Sequence, residues 1–137
     1  MSRSGLSEDC DYDGAEWAHI RWRGQVASVI RGRRGQAFLR ELADALDAMP
    51  VKRLIAKEFW NGEACALGVL GERRGVDGIT VDTEDYRLLA KQFGIGHQLI
   101  QEIEWMNDEG VSAWYETPEQ RWMRIRAWIG GLIKEPT

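Results

Sequence analysis

"LLAKQFGIGHQLIQEIEWM", residues 88 to 106, is the stretch on which the fold turns. Its spacing predicts two helices joined at Gly94. Leu89, Phe93, Ile95, Ile100 and Ile103 fall where a tight helical corner buries side chains, and Ala90 is the small residue such a corner wants. A helix-turn-helix that reads DNA has the same steric pattern. Charge separates the two readings. From Asp82 to Glu109 there are seven acids (Asp82, Glu84, Asp85, Glu102, Glu104, Asp108, Glu109) against Arg87 and Lys91, a net charge of -5. The presumed recognition helix opens Gly96-His97-Gln98, carries Glu102 and Glu104, and has no arginine or lysine. Phosphates supply most of the attraction in nucleic-acid binding, so this charge opposes docking in a groove. A plain helix pair is the preferred reading, with a DNA-binding regulator using residues 86 to 105 as the alternative.

Helical spacing continues on both sides. Between about Ala15 and Ile30, Trp22, Val26, Val29 and Ile30 stand at i, i+4, i+7 and i+8, the stripe of an amphipathic helix, with His19 on the same stripe. "RGRRG" at 31–35 interrupts it, and a second helix follows in which Phe38, Leu42, Ala45, Leu46 and Met49 keep phase until Pro50. "RLIAKEF", "WNG" and "EACALGVLGERRG" read as a short strand, an Asn-Gly turn and a return segment that becomes a helix, leaving room for a small β-hairpin near residues 53 to 67. In "VDGITVDTED", Asp82 or Thr83 is placed to cap the next helix. The last helix is announced by Thr117 as N-cap, Pro118 at the first position and Gln120 closing a capping box. Its apolar face is Trp122, Ile125, Ile129, Leu132 and Ile133, and Arg124 stands four residues before Trp128, within stacking reach. The fold class is therefore mainly α. A flexible acidic tail over residues 1–14 precedes a single helical domain over 15–137, with about five helices.

At 137 residues the chain is long enough to bury a core without disulfide or metal. Cys10 and Cys65 lie far apart and suggest no disulfide framework, as in a reducing cytoplasm. No stretch has the apolar length of a signal peptide core or a membrane span, so a cytoplasmic protein with no membrane partner is expected. The net charge of -4 is unevenly spread: Trp17 to Arg40 holds six arginines (Arg21, Arg23, Arg31, Arg33, Arg34, Arg40) and no acid, so this window is +6 and the remainder -10. Either these guanidinium groups pair with acids elsewhere in the fold, or they face an anionic partner.

Catalytic and cofactor signatures are weak. Cys65 near a helix start, with His97 as base and Asn107 or Asp108 to orient it, echoes the order of a cysteine hydrolase without its local signatures. A cysteine flanked by alanines is more often buried and inert. Cys10, His19, Cys65 and His97 lack the short paired spacings of a zinc site, and "NDEG" at 107–110 reads better as a helix end than as a calcium loop. "GVLGERRG" has neither the spacing nor the flanking elements of a phosphate or dinucleotide loop. No enzyme activity, metal or cofactor is expected. The candidate macromolecule-binding residues are Arg31, Arg33 and Arg34 with Trp22 and Arg23, and Trp17 close by. Arginine forks take carboxylate or phosphate groups, and indoles add contact area. A protein is the preferred partner and nucleic acid the second. The number of copies is left open.

Three phrases carry a resemblance: "WRGQVASVIRGRRGQAFLRELADALDAMP", "GEACALGVLGERRG", and "MNDEG" followed by "ETPEQRW". Together they resemble an uncharacterised family of small proteins of bacteriophages and prophages, over roughly Trp17 to Ile133. "CALG" with a later "ND" before a terminal helix is similar, more loosely, to a second bacterial family of unknown function. The resemblance implies phage-related origin and a setting inside the bacterial host cell. It brings no catalytic or binding residue with it.

Overall fold

The computed structural model describes residues 13–56, 63–75, 86–109 and 116–134, with backbone alone for 13–16 and 109. Among the described residues six helices form: α1 (Asp13–Arg31), α2 (Arg33–Asp47), α3 (Ala66–Arg73), α4 (Tyr86–Phe93), α5 (His97–Glu109) and α6 (Pro118–Leu132). The mainly helical expectation holds, with one helix more than about five. The expected acidic tail lies outside the described residues except for Asp13 and Gly14, which already belong to α1. Asp82 and Thr83, the expected caps of α4, also lie outside them.

Two helices organise the rest. α5 packs against α1, α3, α4 and α6, while α2 packs against α1, α3 and α6. One cluster of buried side chains joins α2 to α6, with Leu39, Leu42, Leu46, Leu54, Leu70, Leu99, Ile100, Ile103, Ile125 and Ile129 fully enclosed. Val29 and Ile30 bring the end of α1 onto this cluster, and the stripe read from the sequence is the one buried. Truncating any of these leucines to alanine is expected to cost about 2–5 kcal/mol.

Among the described residues no strand forms. The arms of the expected hairpin are joined, among the described residues, by one backbone bond, Ile55 N–H to Ala64 O at 3.0 Å. The turn residues, 57–62, lie outside the described residues. The physical reason is that the other polar groups of 54–55 go elsewhere. Leu54 N–H donates to Pro118 O, Arg121 Nη1 donates to Leu54 O, and Asn107 Nδ2 donates to Ile55 O. A buried extended segment can be satisfied by side chains in place of a sheet partner.

The phrases of the sequence resemblance are largely structural ties. Asn107, 1 % exposed, accepts from Ala66 N–H at 3.1 Å through Oδ1 and donates to Ile55 O and Asp108 Oδ1, both at 2.8 Å. It thus caps the start of α3 from α5; "NDEG" is where α5 ends, at Glu109, and the tie made by Asn107 is an addition to that reading. Arg74 holds Glu41 in a two-pronged pair, donates to Phe93 O, and lies over the rings of Phe38 and Phe93. The capping box at Thr117 is present, and the Glu116 side chain, only 5 % exposed, takes both Arg121 and Arg124. Arg124 donates to the two Glu116 oxygens at 2.8 and 2.6 Å and to Met106 O at 2.6 Å. The expected stack on Trp128 is not among the cation–ring contacts of the described residues. The end of α6 is tied down by Gln36, which donates to Leu132 O and Ile30 O and accepts from Lys134 N–H.

Candidate macromolecule-binding face

α1 and α2 meet at Gly32 alone, so "RGRRG" is a one-residue corner. Arg31 ends α1, and Arg33 and Arg34 open α2. The corner is tight because Gly32 N–H returns to Ser28 O and Val29 O, and Gln36 satisfies Ile30 O. Gly35 makes it sterically feasible: a Cβ there would stand 1.8 Å from Val29 O, a backbone atom that cannot step aside. The sequence thus presents three guanidinium groups at a rigid elbow.

Arg21, Arg23, Arg31, Arg33 and Arg34 are all exposed, and among the described residues none has a carboxylate within ion-pair distance. Arg40, the sixth, donates to Lys134 O. The contrast with the later arginines is clear. Arg53 meets Glu63 and Glu119, Arg74 meets Glu41, Arg121 and Arg124 share Glu116, and Arg126 grips Asp47 at 2.7 and 3.0 Å. These guanidinium groups hold the carboxyls of Glu41, Asp47 and Glu116 below the usual carboxylate range. Internal pairing engages five of the seven later arginines, Arg73 and Arg87 being exposed without a carboxylate partner among the described residues, whereas none of the five exposed N-terminal arginines is paired there.

Placement at the start of α2 adds to this. Its N-cap, Gly32, offers no side-chain hydrogen bond and its first turn carries no acid. Two cations at the positive end of a helix are mutually unfavourable and unfavourable with the dipole. Beside them, a cleft of about 660 Å³ opens between the elbow and the α4–α5 turn, lined by Arg33, Arg34 and Lys91 together with Val29, Ala90 and Ile95. In sequence Lys91 belongs to the acidic stretch, and no local signal links it to the elbow; tertiary packing brings it there.

Trp22 is not part of the exposed face. It is 8 % exposed, its ring centre lies 6.2 Å from that of His97, and its Nε1 is buried without a hydrogen-bond partner. The candidate contact at Trp22 is therefore corrected to a packing role, because the residue belongs to the stripe that α1 turns inward. Among the described residues Trp17 is the exposed indole, at 63 %, and it lies off that stripe by the helical period. Arg23 stands roughly 80° around the helix from Arg31, at the margin of the same face.

The α4–Gly94–α5 corner forms, with Gly94 at φ +70° and Ile95 N–H bonded to Ala90 O. Only glycine takes that backbone conformation without strain. Every side chain of α5 from His97 to Asp108 is buried or half-buried. A recognition helix needs an exposed row of side chains to enter a groove, and α5 has none. His97 Nδ1 lies 3.0 Å from Gln101 Oε1. Cys65 stands at the N-cap position of α3 without a side-chain cap bond and is enclosed, and burial pushes its thiol up to about 12, outweighing the helix start. Asn107, the suggested orienter, is bonded to Ala66 and Ile55 instead.

Among the described residues no group of three or more His, Cys, Asp or Glu side chains is placed to hold a metal ion, and no helix is long and apolar enough to cross a membrane. Compared with family models, curated proteins and solved structures, the chain matches none.

Proposed function

We propose that this chain is a non-enzymatic accessory protein of phage or prophage type, which acts by binding a protein inside the bacterial cell. The contact is made through Arg31, Arg33 and Arg34 at the α1–α2 elbow, with Arg23 and Arg21 beside them. The observation that carries this reading is the division among the arginines: five of the seven after residue 50 are committed to acids of the fold, whereas the exposed N-terminal set has no internal carboxylate among the described residues. Exposed guanidinium forks on a rigid elbow suit bidentate recognition of carboxylates. A host defence complex is one class of target that such a protein would occupy, by analogy with how small phage proteins act.

The test is affinity capture from phage-infected cells with the wild-type chain and an Arg31→Ala/Arg33→Ala/Arg34→Ala variant, each with and without nuclease. The expected result is a partner retained after nuclease treatment, lost by the variant, and released as salt is raised. A folded variant that keeps every partner overturns the proposal. A complex dissolved by nuclease assigns the arginines to nucleic acid instead.

A further inference from the structure

We infer that the outward face of α1 and the cleft at the elbow form one continuous dock, and that its occupant is an acidic, amphipathic polypeptide segment of the partner. This rests on the reading above and specifies the partner's chemistry. Trp17, Ile20, Arg21, Gly24, Ser28 and Arg31 follow one another at steps of three or four residues (one between Ile20 and Arg21) and so share a stripe, and all six are exposed. Trp17 and Ile20 are 63 % and 48 % exposed, among the largest exposed apolar side chains described. At about 1.5 Å per residue the stripe is about 21 Å long. Ser28 belongs both to it and to the cleft wall, so the two surfaces meet without a step. At Gly24 no atom lies within 4 Å of the place a Cβ would take, which leaves room for close approach.

The chemistry of the dock selects its occupant. Arg21, Arg31, Arg33, Arg34 and Lys91 call for anions along its whole length, and none has a carboxylate partner among the described residues. Between and beneath them lie apolar surfaces: Trp17 and Ile20 at one end, Val29 and Ile95 in the cleft at the other. A phosphodiester backbone would neutralise the cations but leave Ile20, Val29 and Ile95 uncovered. A second copy of this chain presenting the same face would bring like charges together. A segment with carboxylates on one set of positions and aliphatic side chains on the next satisfies both demands, and exposed Trp and Arg on one helix face are the composition of interface hot spots.

The full-length chain is titrated by fluorescence polarisation against three labelled probes of equal charge: a Glu/Leu peptide of amphipathic helical pattern, a peptide of Glu and Ser, and an oligothymidylate. In about 0.15 M salt the Glu/Leu peptide should bind at least about ten-fold more tightly than either other probe. Trp17→Ala and Lys91→Glu, at opposite ends of the dock, should each weaken it several-fold while leaving the thermal midpoint unchanged. Equal binding of the Glu/Ser peptide, tighter binding of the oligonucleotide, or indifference to both substitutions overturns the inference. If the triple arginine variant loses its cellular partner while Trp17→Ala and Lys91→Glu keep it, the arginine contact stands and the continuous dock fails.

Discussion

Asn107→Ala is the substitution whose cost follows most directly from the geometry. The Asn107 side chain is 1 % exposed and serves two buried backbone groups of distant segments, Ala66 N–H and Ile55 C=O. Truncation leaves both unpaired in a site too enclosed for water to replace the amide without rearrangement. Each such group costs about 1–3 kcal/mol, so the variant should lose about 2–6 kcal/mol, with about 3 kcal/mol expected because Ile55 is only half-buried. For a chain of 137 residues the unfolding entropy near 60 °C is about 0.29 kcal/mol/K, so the midpoint should fall by about 10 °C. Thermal unfolding followed by circular dichroism at 222 nm reads this directly. Asn107→Asp separates the two bonds. It keeps an acceptor for Ala66 N–H but loses the donor to Ile55 O and sets a second carboxylate beside Asp108, so at neutral pH it should be no better than alanine. A fall of less than about 3 °C in the alanine variant, equivalent to about 1 kcal/mol, would refute the view that Asn107 ties the α3 start to α5.

Three further outcomes are expected. Gly35→Ala drives a Cβ into Val29 O and should destabilise by about 1–3 kcal/mol or more, whereas Gly24→Ala, with open space around it, should be neutral or stabilising by up to about 1 kcal/mol; equal midpoints for the two would contradict the elbow packing. In a Cys10→Ser background, Cys65 should resist a soluble thiol reagent at neutral pH until the chain is unfolded, and rapid stoichiometric labelling of the native protein would show that burial does not govern this thiol. Glu41, Asp47 and Glu116 have carboxyls lowered by Arg74, Arg126 and Arg124, so the unfolded chain takes up protons on these groups before the folded one does. Their contribution is complete above the ordinary carboxylate value of about 4.3 and is lost as pH falls through the lowered folded values. The midpoint should therefore drop between about pH 5 and pH 3, and less steeply in Glu116→Gln; a midpoint unchanged over that range contradicts the pairing.

What could be read in the sequence was what is local. The Thr117–Gln120 box acts over three residues, and the Gly94 corner and the stripe from Trp22 to Ile30 are set by backbone sterics and helical period. The residues that the sequence misplaces are those whose partners are remote. Asn107 reads only as part of a helix end because its bonds reach 41 and 52 positions away, and Lys91 reads as a minor charge in an acidic stretch although packing sets it beside Arg33 and Arg34. For the arginines, a count of charge gives an excess of +6 between Trp17 and Arg40 but contains nothing about which acids the fold brings near. Proximity in sequence to the arginines suggests the contact face for Trp22, whereas its own period places it inside, where the structure has it.

The division between committed and exposed arginines is most directly measured by the NMR spectra of the guanidinium groups. Rotation about the Cζ–Nε bond and the order of the Nε–H vector should show Arg74, Arg121, Arg124 and Arg126 restrained, and Arg21, Arg23, Arg31, Arg33 and Arg34 rotating fast with low order. Restrained guanidinium groups at Arg31, Arg33 and Arg34 in the isolated protein would mean that the fold itself holds them, and would contradict the account.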